Sequence, residues 1–164
     1  MRRSAIVFLL LAPYIFIFFD FYIDVSSVSF VVSLSMLGLI CGLNMVNSLT
    51  SPRRGAHAKT YLFWNMVLKL SFVPLYMLCC HILVRSDVAL LSATILLFVF
   101  LGGYILILTT SSYGWRGLWV AYQSGMINRN FMVFHAFVHG LYFFDVFSAV
   151  YCYWRICRAE KDHD

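Results

Sequence analysis

The chain has 164 residues, room for one domain, and is 62% hydrophobic but only 12% charged. A soluble domain is roughly half apolar and a quarter charged, so this composition points away from one and toward a bundle of helices in lipid, as does the mean hydropathy of +0.84. The formal charge is +5, with Lys and Arg in short connections and no basic stripe, which argues against nucleic-acid binding.

Five runs approach the ~20 apolar residues that cross a hydrocarbon core. The first, residues 5–23 (AIVFLLLAPYIFIFFDFYI), follows Arg2 and Arg3 and therefore also resembles a secretory signal. Its length and the lack of a small-x-small site near Asp20–Ile23 favour an uncleaved span; cleavage would leave four. The second run, 28–49, carries Asn44 and Asn47 near its end, and its Gly38-x-x-x-Gly42 is a small-xxx-small spacing that permits close helix approach. The third, 61–84, holds Asn65 and Lys69 one turn apart, and Pro74, which removes an amide donor and predicts a kink. The fourth is 88–110, with Gly102 and Gly103 as further points of close approach.

Between the fourth and fifth runs, Trp115, Leu118, Trp119, Tyr122 and Met126 recur at helical spacing. They predict either a short interfacial helix over 113–124 or a fourth helix that simply runs on. Gly125 is a plausible stop, and Asn128 or Asn130 a plausible N-cap for the fifth run, 131–154. Helix is the only element that satisfies the backbone in lipid here, because five such runs cannot close a barrel. The expected fold is thus an all-α polytopic transmembrane bundle, a single integral domain over 1–164.

Orientation follows from the distribution of Lys and Arg. With the amino terminus inside, Arg2, Arg3, Arg53, Arg54, Lys59, Arg116 and Arg129 lie inside. Arg85, Arg155, Arg158 and Lys161 then fall outside, and five spans force the basic tail RICRAEKDHD out with them. That tail sits awkwardly with the rule, although Glu160, Asp162 and Asp164 balance its charge.

The stretch FMVFHAFVHGLYFFDVF, residues 131–147, buries three polar residues in an apolar run. On one straight helix His135 and His139 share a face, while Asp145 is rotated by about 240° and displaced by about 9 Å from His139. The three cannot converge on one ion, and the obvious outside candidates, His57 and His81, are poorly placed, so no metal site is expected. Lys69 and His139 each lie eight residues into their runs, and those two runs are expected to point the same way. A charge at that depth costs at least ~2.5–3.5 kcal/mol unless it faces protein or water. Lys69 and Asp145 are the basic and acidic residues well inside the spans, so a pairing, direct or through His139, is the economical expectation. The alternative is that Lys69 snorkels to the surface and Asp145 is protonated. Asn65, Lys69, His135, His139 and Asp145 together form the candidate intramembrane polar cluster.

Five cysteines (41, 79, 80, 152 and 157) include no CxxC; buried thiols are expected, with a Cys79–Cys152 bridge as the alternative. HExxH, GxSxG and P-loop patterns are missing from the sequence, so no catalytic residues and no cofactor are assigned.

LFWNMVLKLSFVPLYM (62–77) and SSYGWRGLWVAYQSGMINRNFMVFHAFVHGLYFFDVFSAV (111–150) resemble small, uncharacterised multi-span membrane proteins of Gram-positive bacteria. The likeness covers roughly 61–154, and its positions are occupied by Asn65, Lys69, Pro74, Tyr76, His135, His139 and Asp145. It implies a bacterial plasma membrane and lends no activity. The expected role is a non-enzymatic accessory, immunity or partner-binding component whose partners are the lipid bilayer and another membrane protein or a second copy. A proton-linked transporter or channel subunit using Lys69, His139 and Asp145 is the alternative, and a thiol-redox enzyme comes third.

Overall fold

The computed structural model describes residues 6–11, 13–15, 27–50, 57–85, 93–141 and 144–161, with backbone alone at 27–34, 75–76, 78–85, 93–101 and 161. Every regular element among them is a helix: α1 at 6–11 and 13–15, α2 Ser27–Thr50, α3 Ala58–Arg85, α4 Ala93–Gln123, α5 Arg129–Val138 and α6 Phe144–Lys161. The all-α class is therefore as expected. Among the described residues no helix is long and apolar enough to cross a membrane, so none of the five expected spans is met as such. α3 carries Asn65 and Lys69, and α4 carries the polar run Thr109–Tyr113 near its middle. The Asp20–Ile23 cleavage question and residues 88–92 of the fourth run lie outside the described residues.

The long fourth helix is the centre of the bundle, packing on α2, α3, α5 and α6. It runs unbroken to Gln123, so the segment 113–124 is its last part and not a separate interfacial helix. Its neighbours explain why. Leu118 is fully buried, and Trp115 donates from Nε1 to the Ala136 carbonyl of α5 at 2.7 Å. The helix stops as expected: Gly125 takes φ +73, and Met126 N donates to Ala121 O at 3.0 Å, a Schellman closure. Asn128 then caps α5 by accepting from Phe131 N at 2.9 Å.

The close approach of α3 and α4 occurs at Gly114 and Gly117. A Cβ at Gly117 would stand 2.7 Å from Leu62 Cγ and 3.2 Å from its backbone nitrogen, so only glycine admits this contact. At Gly38 and Gly42, by contrast, nothing among the described residues lies within 4 Å of such an atom. α2 and α4 share an apolar cluster that includes Cys41 and Leu106, and polar contacts join them as well: Tyr113 Oη donates to Asn44 Oδ1 at 2.9 Å, and Asn47 Nδ2 donates to Tyr113 Oη at 3.4 Å.

The expected fifth span is two helices. After Val138 the chain tightens, with Gly140 N donating to Phe137 O at 2.9 Å and Leu141 N to Val138 O at 3.0 Å, before α6 starts at Phe144. The two helices form a hairpin. Lys69 meets Asp145 at the start of α6, and Lys59 meets Glu160 near its end, so α6 is antiparallel to α3. This corrects the expected common direction of the third and fifth runs. A single helix would have carried the chain away from Lys59; the hairpin brings it back.

Candidate functional site

Where the hairpin turns, four segments converge on the Lys69 ammonium. Its side chain is 1% exposed, and Nζ donates to Asp145 Oδ2 at 2.8 Å, Ser111 Oγ at 3.0 Å and the His139 carbonyl at 3.4 Å. An ammonium has three donors, so its capacity is filled. Snorkelling is excluded by this burial, and the carboxylate partner is the one expected from sequence. Ser111 Oγ also donates to the His139 carbonyl. That carbonyl is available because the chain leaves the helical path at Gly140; in an unbroken helix it would accept the amide four residues on.

Behind the ion pair, Asn65 and His139 are fully buried on either side of Gly114. A Cβ at Gly114 would lie 2.8 Å from Asn65 Nδ2, 2.9 Å from His139 Cδ2 and 3.0 Å from His139 Nε2. The amide of Asn65, both ring nitrogens of His139 and Oδ1 of Asp145 have no hydrogen-bond partner among the described residues. Burying such a group unpaired costs about 1–3 kcal/mol. The cluster therefore carries more hydrogen-bonding capacity than the fold consumes.

His135 belongs elsewhere. Its Nδ1 shares a hydrogen bond with Ser148 Oγ at 2.8 Å, and its ring lies 4.2 Å from Phe131 and 5.4 Å from Tyr151, centroid to centroid. It sits in the floor of an apolar groove of about 490 Å³ between α5 and α6. The structure thus brings together Asn65, Lys69, His139 and Asp145 and sets His135 apart. Pro74 lies inside α3, which continues through it to Arg85.

Sequence reasoning missed Ser111, Gly114 and Ser148. The first two belong to TTSSYG, a small polar run inside the longest helix, which marks a point of close polar packing. Ser148 becomes a partner of His135 only through the hairpin. Among the described residues no group of three or more His, Cys, Asp and Glu could hold a metal ion. Cys41, Cys152 and Cys157 are free thiols, so Cys152 forms no bridge to Cys79. Cys152 is fully buried, with Sγ 3.9 Å from Ser148 Oγ. At the open end of the hairpin, the Glu160 carboxylate accepts a 3.0 Å hydrogen bond from Lys59 and holds that ammonium above its usual range.

No protein-family model matches this chain, and neither a curated protein nor a solved structure matches it.

Proposed function

We propose that the chain is an integral protein of a bacterial plasma membrane, in which α1 to α4 cross and the α5–α6 hairpin enters to mid-depth and returns. One observation carries this reading: charged and polar groups are buried in the interior while many large apolar side chains face outward. Lys69, Asp145, His139 and Asn65 are inside, while Phe134, Phe137, Phe144 and Phe147 are 63–76% exposed on the hairpin alone. Along α2, Met36, Leu39, Leu43, Val46 and Leu49 are exposed as well. Water-soluble monomers rarely expose apolar patches beyond a few hundred Å². Helices that share polar residues internally meet lipid only through their outer faces, so hydropathy averaged around each helix understates their fitness for a bilayer. Lys69 is 11 residues into α3, about 16 Å along it, close to the middle of a ~30 Å hydrocarbon core.

The hairpin also revises the expected orientation. Of the Lys and Arg residues in the described helices, Lys59, Arg116, Arg129, Arg155, Arg158 and Lys161 belong to segments at the Lys59 end, and Arg85 ends α3 at the other. The positive-inside rule then favours both termini in the cytoplasm, and the basic tail is no longer awkward.

Within the membrane the protein acts as a non-enzymatic accessory or partner-binding component, its hairpin pinned by the Lys69–Asp145 pair. Retention in the membrane pellet after alkaline carbonate extraction, with release only by detergent, is the expected result; release by carbonate alone overturns the reading. A second reading, a proton-linked transport subunit, is favoured by the unused hydrogen-bonding atoms of Asn65, His139 and Asp145. Proteoliposomes carrying a pH-sensitive dye test it. Proton flux that disappears in Lys69→Met would establish transport, and no flux above protein-free vesicles would remove it.

A further inference from the structure

We infer that the outer face of the α5–α6 hairpin is a binding site for one anionic phospholipid. Its acyl chain lies in the apolar groove, and its phosphate meets Arg129, Arg155 and Arg158 at the rim. The inference rests on the membrane reading above.

Two independent features meet here. The first is the groove: about 490 Å³, walled by Phe134, Phe137, Leu141, Phe144 and Phe147 and opening outward between two helices. Along α6 it extends from Phe144 to Tyr151, about 10 Å, so it covers most of one ~15 Å hydrocarbon leaflet from mid-depth upward. The second is the rim. Arg155 Cζ sits 4.7 Å over the Phe131 ring, and that ring lies tilted against His135 in the groove floor, 4.2 Å centroid to centroid. Arg158 Cζ lies 5.6 Å over Trp154, whose ring centroid is 6.2 Å from that of Tyr151, the groove's upper wall. Arg129 opens α5 two residues before Phe131 and is exposed.

The guanidinium groups of Arg155 and Arg158 are thus held above aromatic rings that lead into the groove. Guanidinium matches phosphate oxygens in fork geometry, and aromatic rings favour the headgroup level. The three exposed arginines, with Glu160 already engaged by Lys59, leave a net positive rim that a zwitterionic headgroup does not neutralise. An acyl chain without a charged head would fill the groove but ignore the rim, and a free anion would do the reverse.

The test uses the full-length protein purified in a neutral detergent. Its thermal midpoint is followed while long-chain phosphatidylglycerol, phosphatidylcholine or inorganic phosphate is titrated in. Phosphatidylglycerol is expected to raise the midpoint saturably, with an apparent affinity at least tenfold above that of phosphatidylcholine, and phosphate alone to have no effect. The Arg129→Gln/Arg155→Gln/Arg158→Gln variant should lose that tenfold preference, and Val138→Trp, which fills the groove, should abolish saturation by either lipid. Arg155→Lys, which keeps the charge and the fold, guards against a misfolded triple variant and should retain most of the preference. Equal response to both lipids, a response to phosphate alone, or an unchanged response in Val138→Trp overturns the inference. Carbonate extraction reads the membrane assignment separately, so a protein that stays in the pellet but shows no lipid preference sinks only this proposal.

Discussion

Lys69 and Asp145 are each 1% exposed and 2.8 Å apart, so neither charge has water to fall back on. Removing one partner of a buried pair leaves the other uncompensated, at a cost of about 3–5 kcal/mol, whereas removing both is often nearly neutral. Lys69→Met and Asp145→Leu should each destabilise the protein by about that amount, and the double variant should recover part of the loss. A double-mutant cycle in detergent measures the coupling; strictly additive effects would contradict an energetic role for the pair. Gly114 is the other sensitive residue. A methyl group there meets Asn65 Nδ2 at 2.8 Å and the His139 ring at 2.9 Å, both inside a filled core. Gly114→Ala should cost about 1–3 kcal/mol by overpacking. Shortening one neighbour as well, in Gly114→Ala/Asn65→Ala, should lower that cost, which thermal denaturation of the single and double variants reads out.

At the scale of elements, the α5–α6 hairpin depends on the turn that leads into it. Asn128 caps α5, and loss of a cap costs about 0.5–2 kcal/mol. Gly125 at φ +73 adopts the left-handed region, where an L side chain adds about 1–2 kcal/mol. Asn128→Ala and Gly125→Ala are therefore each expected to lower the thermal midpoint. Both are also expected to increase hydrogen exchange in 125–141 more than in α4, and uniform exchange across the two would show that the turn does not set the hairpin's stability. These two residues were legible in the sequence because glycine and asparagine sat between two apolar runs. The pairing of Lys69 with Asp145 was legible for a related reason: a buried charge needs a partner, and the opposite charges available were few. The break at 139–143 was not legible. FMVFHAFVHGLYFFDVF contains no proline, and its one glycine is tolerated inside helices, so the apolar run continues through the bend. What breaks the helix is tertiary. The His139 carbonyl is taken by Lys69 and Ser111, from helices far away in sequence.

For the whole molecule, the break changes the sidedness of everything after it. A continuous fifth helix would place Arg155, Arg158 and Lys161 across the bundle from Lys59, but the Lys59–Glu160 contact at 3.0 Å brings that end of α6 back to the start of α3. In the membrane arrangement proposed above, four crossings by α1 to α4 would return the chain to the side where it began, and a hairpin that goes in and comes out would leave it there. The basic loop SPRRGAHAK and the basic tail RICRAEKDHD would then share one side, in line with the bias of Lys and Arg toward the cytoplasm. Single cysteines introduced at positions 24, 54 and 163 of a cysteine-free variant separate the two topologies. Membrane-impermeant maleimide applied to intact cells should label position 24, and positions 54 and 163 should react only after the membrane is opened. Labelling of 163 from outside while 54 stays protected would mean that α6 crosses the bilayer, and the returning hairpin, with the lipid site built on it, would have to be abandoned.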